Sequence, residues 1–408
     1  MSLASRSIRL VPRAVWWLGA TSLLTDLSTD LVSSVLPMYL ILHLHLSPFE
    51  YGAVDGLYQG GAAAVLGLSA GLLADRTRRH KEIAAAGYAT SALCKLAMLG
   101  VGNAFVGIAA ATGVDRVAKG VRTAPRDALI SLHAAPASLT DAFAVHRTLD
   151  ACGALLGPLL AFALLAYQPG GYATVFAASF AFGLLGVAAL WLFVDAPASG
   201  DARVAPAAQP SLRRAGDLLA RPGFRAVAGA AALLALATVS DGFLYLLLER
   251  RGSASAGFFP LLYVGTAAGS MLLAIPIGRL AARRGRRNVL LGGFAARLAV
   301  YVLVVSPLPP SAAIASASVA LLGLSLAATD GVLMAIASST IPPDLRASGL
   351  ALLNTGMGLA KMTASLGFGW LWHAGGATIA VSIFGAGLFA AIATSALLLR
   401  EVRDGAAI

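Results

Sequence analysis

Charged residues are scarce in this chain of 408 residues, making up 12% of it against 58% hydrophobic residues. Soluble domains carry about a quarter charged residues, so this balance excludes the ordinary soluble globular class. Cysteine is rarer still: Cys94 and Cys152 both lie in apolar segments, which predicts no disulfide framework. Six scattered histidines form no metal-ligand cluster, and no P-loop, dinucleotide glycine pattern or nucleophile–base pair is present. The sequence therefore predicts no enzyme, no metal site and no bound cofactor.

Long apolar runs are abundant, and each is long enough to cross a bilayer. The first follows Arg6, Arg9 and Arg13 and continues well past signal-peptide length, so we expect it to remain as a span. The pattern predicts an all-α membrane protein with twelve transmembrane helices. The predicted spans cover 15–42, 51–74, 83–101, 104–131, 141–167, 171–194, 224–247, 256–280, 288–306, 311–336, 347–372 and 377–399.

The basic residues account for a net charge of +11, and their placement in short loops argues against nucleic-acid binding. Most of them lie in every second loop, as in 76–81 and 283–287, and therefore on one side of the membrane. The loops on the opposite side carry few charges. Because lysine and arginine remain on the cytoplasmic side, both termini are predicted to be cytoplasmic, in the inner (cytoplasmic) membrane. The segment 195–223, rich in Ala, Pro and Arg, is predicted to be a flexible cytoplasmic linker.

Internal repetition divides the chain into two halves, predicted as six-helix bundles over 1–194 and 224–408. The loop at 71–79 is echoed at 278–287, 207 positions later. Two pairs of acids within spans, Asp26 with Asp241 and Asp115 with Asp330, are each separated by 215 positions. Duplicated six-helix halves are typical of transporters that bind substrate near the bilayer midplane.

Three motifs resemble those of the major facilitator superfamily, over essentially the whole chain. The loop at 71–81 is similar to the G-x-L-A-D-R-x-G-R-[RK] loop between helices two and three, with Arg78 where the pattern has Gly and His80 at a basic position. Arg116 and Gly120 match an R-x-x-x-G pattern in helix four. Gly153, Gly157 and Pro158 resemble the G-x-x-x-G-P motif associated with antiporters. The string 119–129 resembles a bacterial subgroup of largely uncharacterised efflux-type permeases.

The resemblance implies a cytoplasmic gate around the loop. Its predicted residues are Gly71, Asp75, Arg76, Arg79, Arg126 and Asp127. Asp75 would lie by the start of helix eleven, whose N-terminal dipole favours an anion. Arg79 would pair with an acid at the end of helix four, for which Asp127 is the candidate. The alternative is that these bases only fix topology.

The stretch 114–127 is the densest cluster of charge inside an apolar setting. On a helix, Asp115, Lys119, Arg122 and Arg126 line one face, and Arg116 lies on the adjacent stripe. Such a face must meet water, protein or a polar ligand rather than lipid. We expect Asp115, Arg116, Lys119 and Arg122 to lie at a cavity.

Further acids lie in the first and fifth spans. Asp26 and Asp30 are one turn apart, and two carboxylates in low dielectric repel each other, which makes one of them a candidate proton carrier. The alternative is that they pair with Lys95, Arg116 or Lys119 and only join helices. Asp150 in the fifth span is predicted either to form a structural ion pair or to contact the pathway.

Isolated charges also occur in the second half, namely Asp241, Arg297, Asp330 and Lys361. A lone charge within a span is a functional candidate by default, although a long arginine side chain can reach the interface instead. Together with the first-half residues, Asp241, Asp330 and Lys361 complete the predicted substrate and proton pathway.

These features predict a secondary transporter that works by alternating access, driven by an ion gradient, most simply of protons, rather than by ATP. Proton-coupled export of a small molecule is the leading interpretation. The alternatives are proton-coupled import of an organic anion or metabolite, and export of a divalent metal. A membrane-embedded enzyme or a non-transporting sensor is the remote alternative. The chain is expected to act as a monomer in the lipid bilayer, without nucleic acid.

Overall fold

The computed structural model describes residues 11–60, 77–102, 104–135, 138–195, 216–342 and 345–400, and these contain helices and turns but no β-strand. The helices are α1 (Arg13–Ser33), α2 (Pro48–Gln59), α3 (His80–Gly100), α4 (Phe105–His133), α5 (Leu139–Tyr167), α6 (Tyr172–Phe193), α7a (Pro222–Leu236), α7b (Asp241–Arg250), α8 (Phe259–Arg284), α9 (Arg286–Val305), α10 (Ala312–Thr340), α11 (Arg346–Gly375) and α12 (Ala377–Leu398). A π-helical turn, Tyr39–His43, follows α1.

The predicted spans coincide with these helices within a few residues, with two exceptions. The first span, predicted over 15–42, is divided into α1, a short helix Leu36–Met38 and the π-helical turn. The seventh span, predicted over 224–247, is interrupted between α7a and α7b. Of the second span, only α2 falls among the described residues, and most of the linker 195–223 lies outside them. The twelve-helix architecture is confirmed, and the seventh predicted span contains a break that the sequence did not indicate.

Eight of the described helical segments are long and apolar enough to cross a membrane. Their outer faces carry large apolar side chains that the other described residues do not cover. Leu192 is 70% exposed, Leu272 78% and Ile275 67%. Apolar surface this extensive is unfavourable in water and favourable in lipid. The chain is therefore a multi-pass membrane protein.

The helices fall into two compact units, Met1–Leu36 with Ala62–Ala207, and Pro37–Gly61 with Ala208–Ile408. The segment that contains α2 thus packs with the second unit, although it belongs to the first half by sequence. The domain boundaries predicted from the repeat remain a prediction.

In the first unit, α1 packs against α5 and α6, and α3 packs against α4 and α6. The glycines of the G-x-x-x-G-P motif make the α1–α5 contact close. A Cβ added at Gly153 would lie 2.4 Å from the carbonyl oxygen of Leu23, and one at Gly157 would lie 2.7 Å from the amide nitrogen of Leu31. No larger residue fits at either position without moving α1. The motif therefore has a packing role here.

In the second unit, α2 packs against α11, and α10 packs against both α8 and α9. The start of α2 is set by a capping box, in which Ser47 accepts from the Glu50 amide at 3.2 Å and Glu50 accepts from the Ser47 amide at 2.7 Å. Tight turns at Gly285 and Gly376 join α8 to α9 and α11 to α12. Their φ angles of 87° and 89° are ones that favour glycine.

Candidate ion and substrate site

Asp115 lies at the centre of a buried cluster between α3 and α4. Its carboxylate contacts the Lys95 ammonium and the Arg116 guanidinium, and it accepts a hydrogen bond from Ser91 at 2.5 Å. Arg116 also donates through Nε at 3.0 Å. All four side chains are buried. With two cations and a hydroxyl around it, the Asp115 charge is fully compensated.

Lys95 and Arg116, two of the bases that could pair with the acids of the first span, each form an ion pair with Asp115. Asp26 instead lies 3.6 Å from Arg122, an ion pair in which the Asp26 side chain is 14% exposed and that of Arg122 is 3% exposed. Arg122 also stacks over the ring of Tyr88, at 4.5 Å from its centroid.

A second acid, Asp150 of α5, faces Asp26 across the α1–α5 contact. The two carboxyl groups are within hydrogen-bonding reach of each other. Ser22 donates to Asp150 at 2.5 Å, and the Arg126 guanidinium lies 3.5 Å from the Ser22 hydroxyl. The structure therefore brings together acids from the first and fifth spans that the sequence treated separately.

His146 extends this group towards the end of α5. Its side chain is buried, and its Nδ1 has no hydrogen-bond partner among the described residues. Arg126, Asp127 and Asp150 are near enough for their charges to act on it. The imidazole therefore borders the same charged group as the Asp26–Asp150 pair.

Asp30 and Lys119 differ from their neighbours. Asp30 accepts from its own helix neighbour Ser33 at 3.1 Å, and no ion pair to it is formed within the described part of the chain. Lys119 is half-buried, and its ammonium group likewise forms no ion pair or hydrogen bond with a described residue, although its charge acts on both Asp26 and Asp30. These are the groups that remain open to a ligand.

The predicted gate is described only in part. Gly71, Asp75 and Arg76 lie outside the described residues. Arg79 is exposed, and the expected ion pair between it and Asp127 is absent from the described residues. Asp127 instead pairs with the adjacent Arg126, at 2.9 Å. The pairing proposed for Arg79 is therefore replaced by a contact within α4.

In the second unit, the break in the seventh helix is held by two side chains of α9. Arg297 contacts Asp241 at 2.8 Å and also donates to the carbonyl oxygen of Val239 at 3.1 Å. The Tyr301 hydroxyl accepts from the Val239 amide at 2.7 Å and donates to the Ala237 carbonyl at 3.3 Å. Backbone groups that the interrupted helix leaves unpaired are thus satisfied.

The other two second-half candidates stand apart from this arrangement. Asp330 is exposed on α10, and Lys361 is half-buried on α11. Neither forms an ion pair within the described residues. Among those residues, no group of three or more metal-ligating side chains is assembled.

The sequence predicts that Asp55 and Gln59 border the outer opening, but it does not assign three other groups near the break: Tyr51, Ser365 and Tyr301. Asp55 Oδ2 accepts from Gln59 at 3.0 Å and from the hydroxyl of Ser365 on α11. The only sequence signal was the one-turn spacing of Asp55 and Gln59. Serine and tyrosine carry no charge, so their roles were invisible in a search for isolated ionisable residues.

Comparison with known proteins agrees with this architecture. The model of the Major Facilitator Superfamily matches residues 18–267 and 252–407. An uncharacterized MFS-type transporter of Methanocaldococcus jannaschii is 29% identical over 374 residues, covering 89% of each chain.

Solved structures with the same fold include a mutant form of the nucleoside transporter NupG. That structure has a TM-score of 0.78 and 15% identity, covering 95% of this chain and 100% of its own. A bacterial homologue of the human lysosomal transporter Spinster has a TM-score of 0.71 and 17% identity, covering 97% of this chain and 98% of its own.

Proposed function

The chain belongs to the Major Facilitator Superfamily and is a secondary transporter, and from that premise we propose that it exchanges protons for a small molecule, in the direction of export. The facing carboxyl groups of Asp26 and Asp150 are the observation that carries the proposal. Two carboxylates in contact repel each other in low dielectric, whereas one shared proton turns repulsion into a hydrogen bond. The pair is therefore a natural proton-binding unit.

The surrounding groups provide a route for releasing that proton. Arg122 lies 3.6 Å from Asp26, and Arg126 reaches Ser22, the hydroxyl that donates to Asp150. A closer approach of either arginine would stabilise the fully ionised pair and expel the proton. Asp115 is a weaker candidate carrier, because Lys95 and Arg116 already compensate its charge.

Lys119 and Asp30 are the proposed substrate contacts. A half-buried ammonium that lacks an ion pair within the described residues is suited to an anionic group, and Asp30 offers an acceptor of opposite charge nearby. We therefore propose a small organic molecule that carries an anionic group. Import of such an anion together with a proton is the second candidate, since the same contacts serve either direction.

The first experiment is a thermal-shift screen of the purified full-length protein against drugs, organic acids and divalent metals at two pH values. Organic anions are expected to stabilise the protein by an amount that depends on pH, because ligand binding raises apparent stability. Stabilisation by divalent metals alone would contradict the proposal and favour the metal-export alternative.

Direction is tested with the stabilising compound in membrane vesicles of both orientations under an imposed pH gradient. Export by antiport predicts uptake into inverted vesicles that are acidic inside. Uptake into right-side-out vesicles that are acidic outside would establish import instead. The same vesicles report orientation, because protease access to the termini is expected from the cytoplasmic side.

A further inference from the structure

Asp55 is an intramembrane carboxylate whose hydrogen-bond donors come from two different helices. It lies on α2, and its Oδ2 accepts from Gln59 on the same helix and from Ser365 on α11. Ser365 is 1% exposed, whereas Asp55 is half-buried, so the carboxylate is held on one side and accessible on another. Its neighbours are hydroxyl and amide groups rather than cations.

The charges around Asp55 do not balance. Among the described residues no cation lies within ion-pair distance of it, and its acidic neighbour Asp241 already has Arg297 at 2.8 Å. The other titratable groups facing it are Tyr51 on α2 and Tyr263 on α8. Lys361 lies one turn before Ser365 on α11 and forms no ion pair within the described residues.

The same contact is a close approach of two helices. A Cβ added at Gly52 would lie 2.6 Å from the carbonyl oxygen of Ser365, and one at Gly369 would lie 2.5 Å from that of Pro48. Tyr51 meets Phe243 edge-on, with ring centroids 4.6 Å apart. Asp55 is therefore an acid placed inside a glycine-lined, aromatic-flanked helix contact.

An ionised carboxylate without a cation is unfavourable in such a contact, whereas the neutral acid still hydrogen-bonds to Ser365 and Gln59. Both helices belong to the second compact unit, so a separation of α2 from α11 is a local change within that unit. Separation would expose Asp55 to water, where the ionised form is favoured.

We propose that Asp55 is a second proton-binding site, separate from the Asp26–Asp150 pair, and that a proton taken from water at Asp55 holds α2 against α11. Loss of that proton to water releases the contact. The inference rests on the proposed alternating-access function, because it assigns the proton a role in opening one side of the transporter.

The test is hydrogen–deuterium exchange of α2 in the purified full-length protein, corrected for the intrinsic pH dependence of amide exchange. Exchange of the 48–59 segment is expected to rise by about tenfold between low and high pH, because local opening governs protection. Asp55→Asn, which imitates the neutral acid, is expected to hold exchange at the slow level at every pH. The exposed Asp217→Asn is the matched control and should behave as wild type.

A second variant covers the case in which Asp55→Asn fails to fold. Ser365→Ala removes a hydrogen bond that is stronger to a charged acceptor than to a neutral one. It should therefore widen the difference in exchange between high and low pH.

Wild-type exchange that is independent of pH, or an Asp55→Asn variant that keeps the wild-type pH dependence, would overturn the proposal. So would slower exchange in sodium chloride than in choline chloride at fixed pH, since sodium would then be the ion bound at Asp55.

Proton release measured on the Asp26→Asn variant separates the proposal for Asp55 from the proposed proton coupling at the Asp26–Asp150 pair. If exchange of α2 depends on Asp55 but the protein moves no protons, the proposal for Asp55 stands and proton coupling fails. If protons move through Asp26 while exchange of α2 does not depend on Asp55, proton coupling stands and the proposal for Asp55 fails.

Discussion

The carboxyl group of Asp26 on α1 faces that of Asp150 on α5, and Ser22 donates to Asp150 at 2.5 Å. Replacing either acid with asparagine removes the ability of the pair to share a proton. We therefore expect Asp26→Asn and Asp150→Asn each to abolish proton release on ligand binding. The measurement uses a pH-indicator dye in weakly buffered detergent solution, with the stabilising compound from the thermal-shift screen.

Asp217→Asn serves as the control for that measurement, because Asp217 is exposed and lies outside the membrane helices. Undiminished proton release from both pair variants would exclude the pair as the carrier. Asp30→Asn would then become the variant to examine.

Lys119 provides a test of the substrate class. Because its ammonium group forms no ion pair or hydrogen bond within the described residues, Lys119→Gln should change the free energy of unfolding by no more than about 0.5 kcal/mol. The same variant should lose most of its thermal stabilisation by organic anions, while Lys119→Arg should retain part of it. A large loss of stability without ligand would instead show that Lys119 holds the helices together.

The α1–α5 contact predicts the effect of a single methyl group. Gly153→Ala places a Cβ 2.4 Å from the carbonyl oxygen of Leu23, so α1 must shift, at a cost of about 1–3 kcal/mol. Gly292→Ala on α9 is the matched control, since a Cβ there meets nothing within 4 Å. Thermal unfolding in detergent should show a clear decrease for the first variant and no decrease for the second.

The break in the seventh helix predicts a coupled pair. Asp241→Asn and Arg297→Met should each destabilise the protein, by about 1–3 kcal/mol after allowance for the 25% exposure of the Asp241 side chain. The double variant should lose less than the sum of the two, because neither charge is left unpaired. Strict additivity in thermal unfolding would mean that the 2.8 Å contact contributes no coupling energy.

Periodicity and composition were sufficient to predict the helices, because a bilayer requires long apolar helical segments. Each such segment appears in the sequence as one continuous apolar run. The same two properties placed the seventh span but did not indicate the break within it. The residues 237–240 contain neither proline nor glycine, and their backbone is unwound because Tyr301 and Arg297, about 60 positions later, replace the helical hydrogen bonds. A partner so distant in sequence cannot be read from the local pattern.

In the candidate site, too, the sequence identified single residues, whereas their pairing required the structure. Scarcity of charge in apolar spans singled out Asp26, Asp115, Lys119, Arg122 and Asp150 one at a time, since each is conspicuous alone. Which charges compensate one another depends on helix packing. Only the tertiary structure assigned Lys95 and Arg116 to Asp115, and set Asp26 against Asp150.

By itself, then, the sequence determined a twelve-helix transporter and most of its intramembrane charges, because transfer into lipid penalises each misplaced residue separately. The tertiary structure decided which cations lie beside Asp26, Asp115 and Asp241, because ion pairing depends on distances of a few ångströms between side chains.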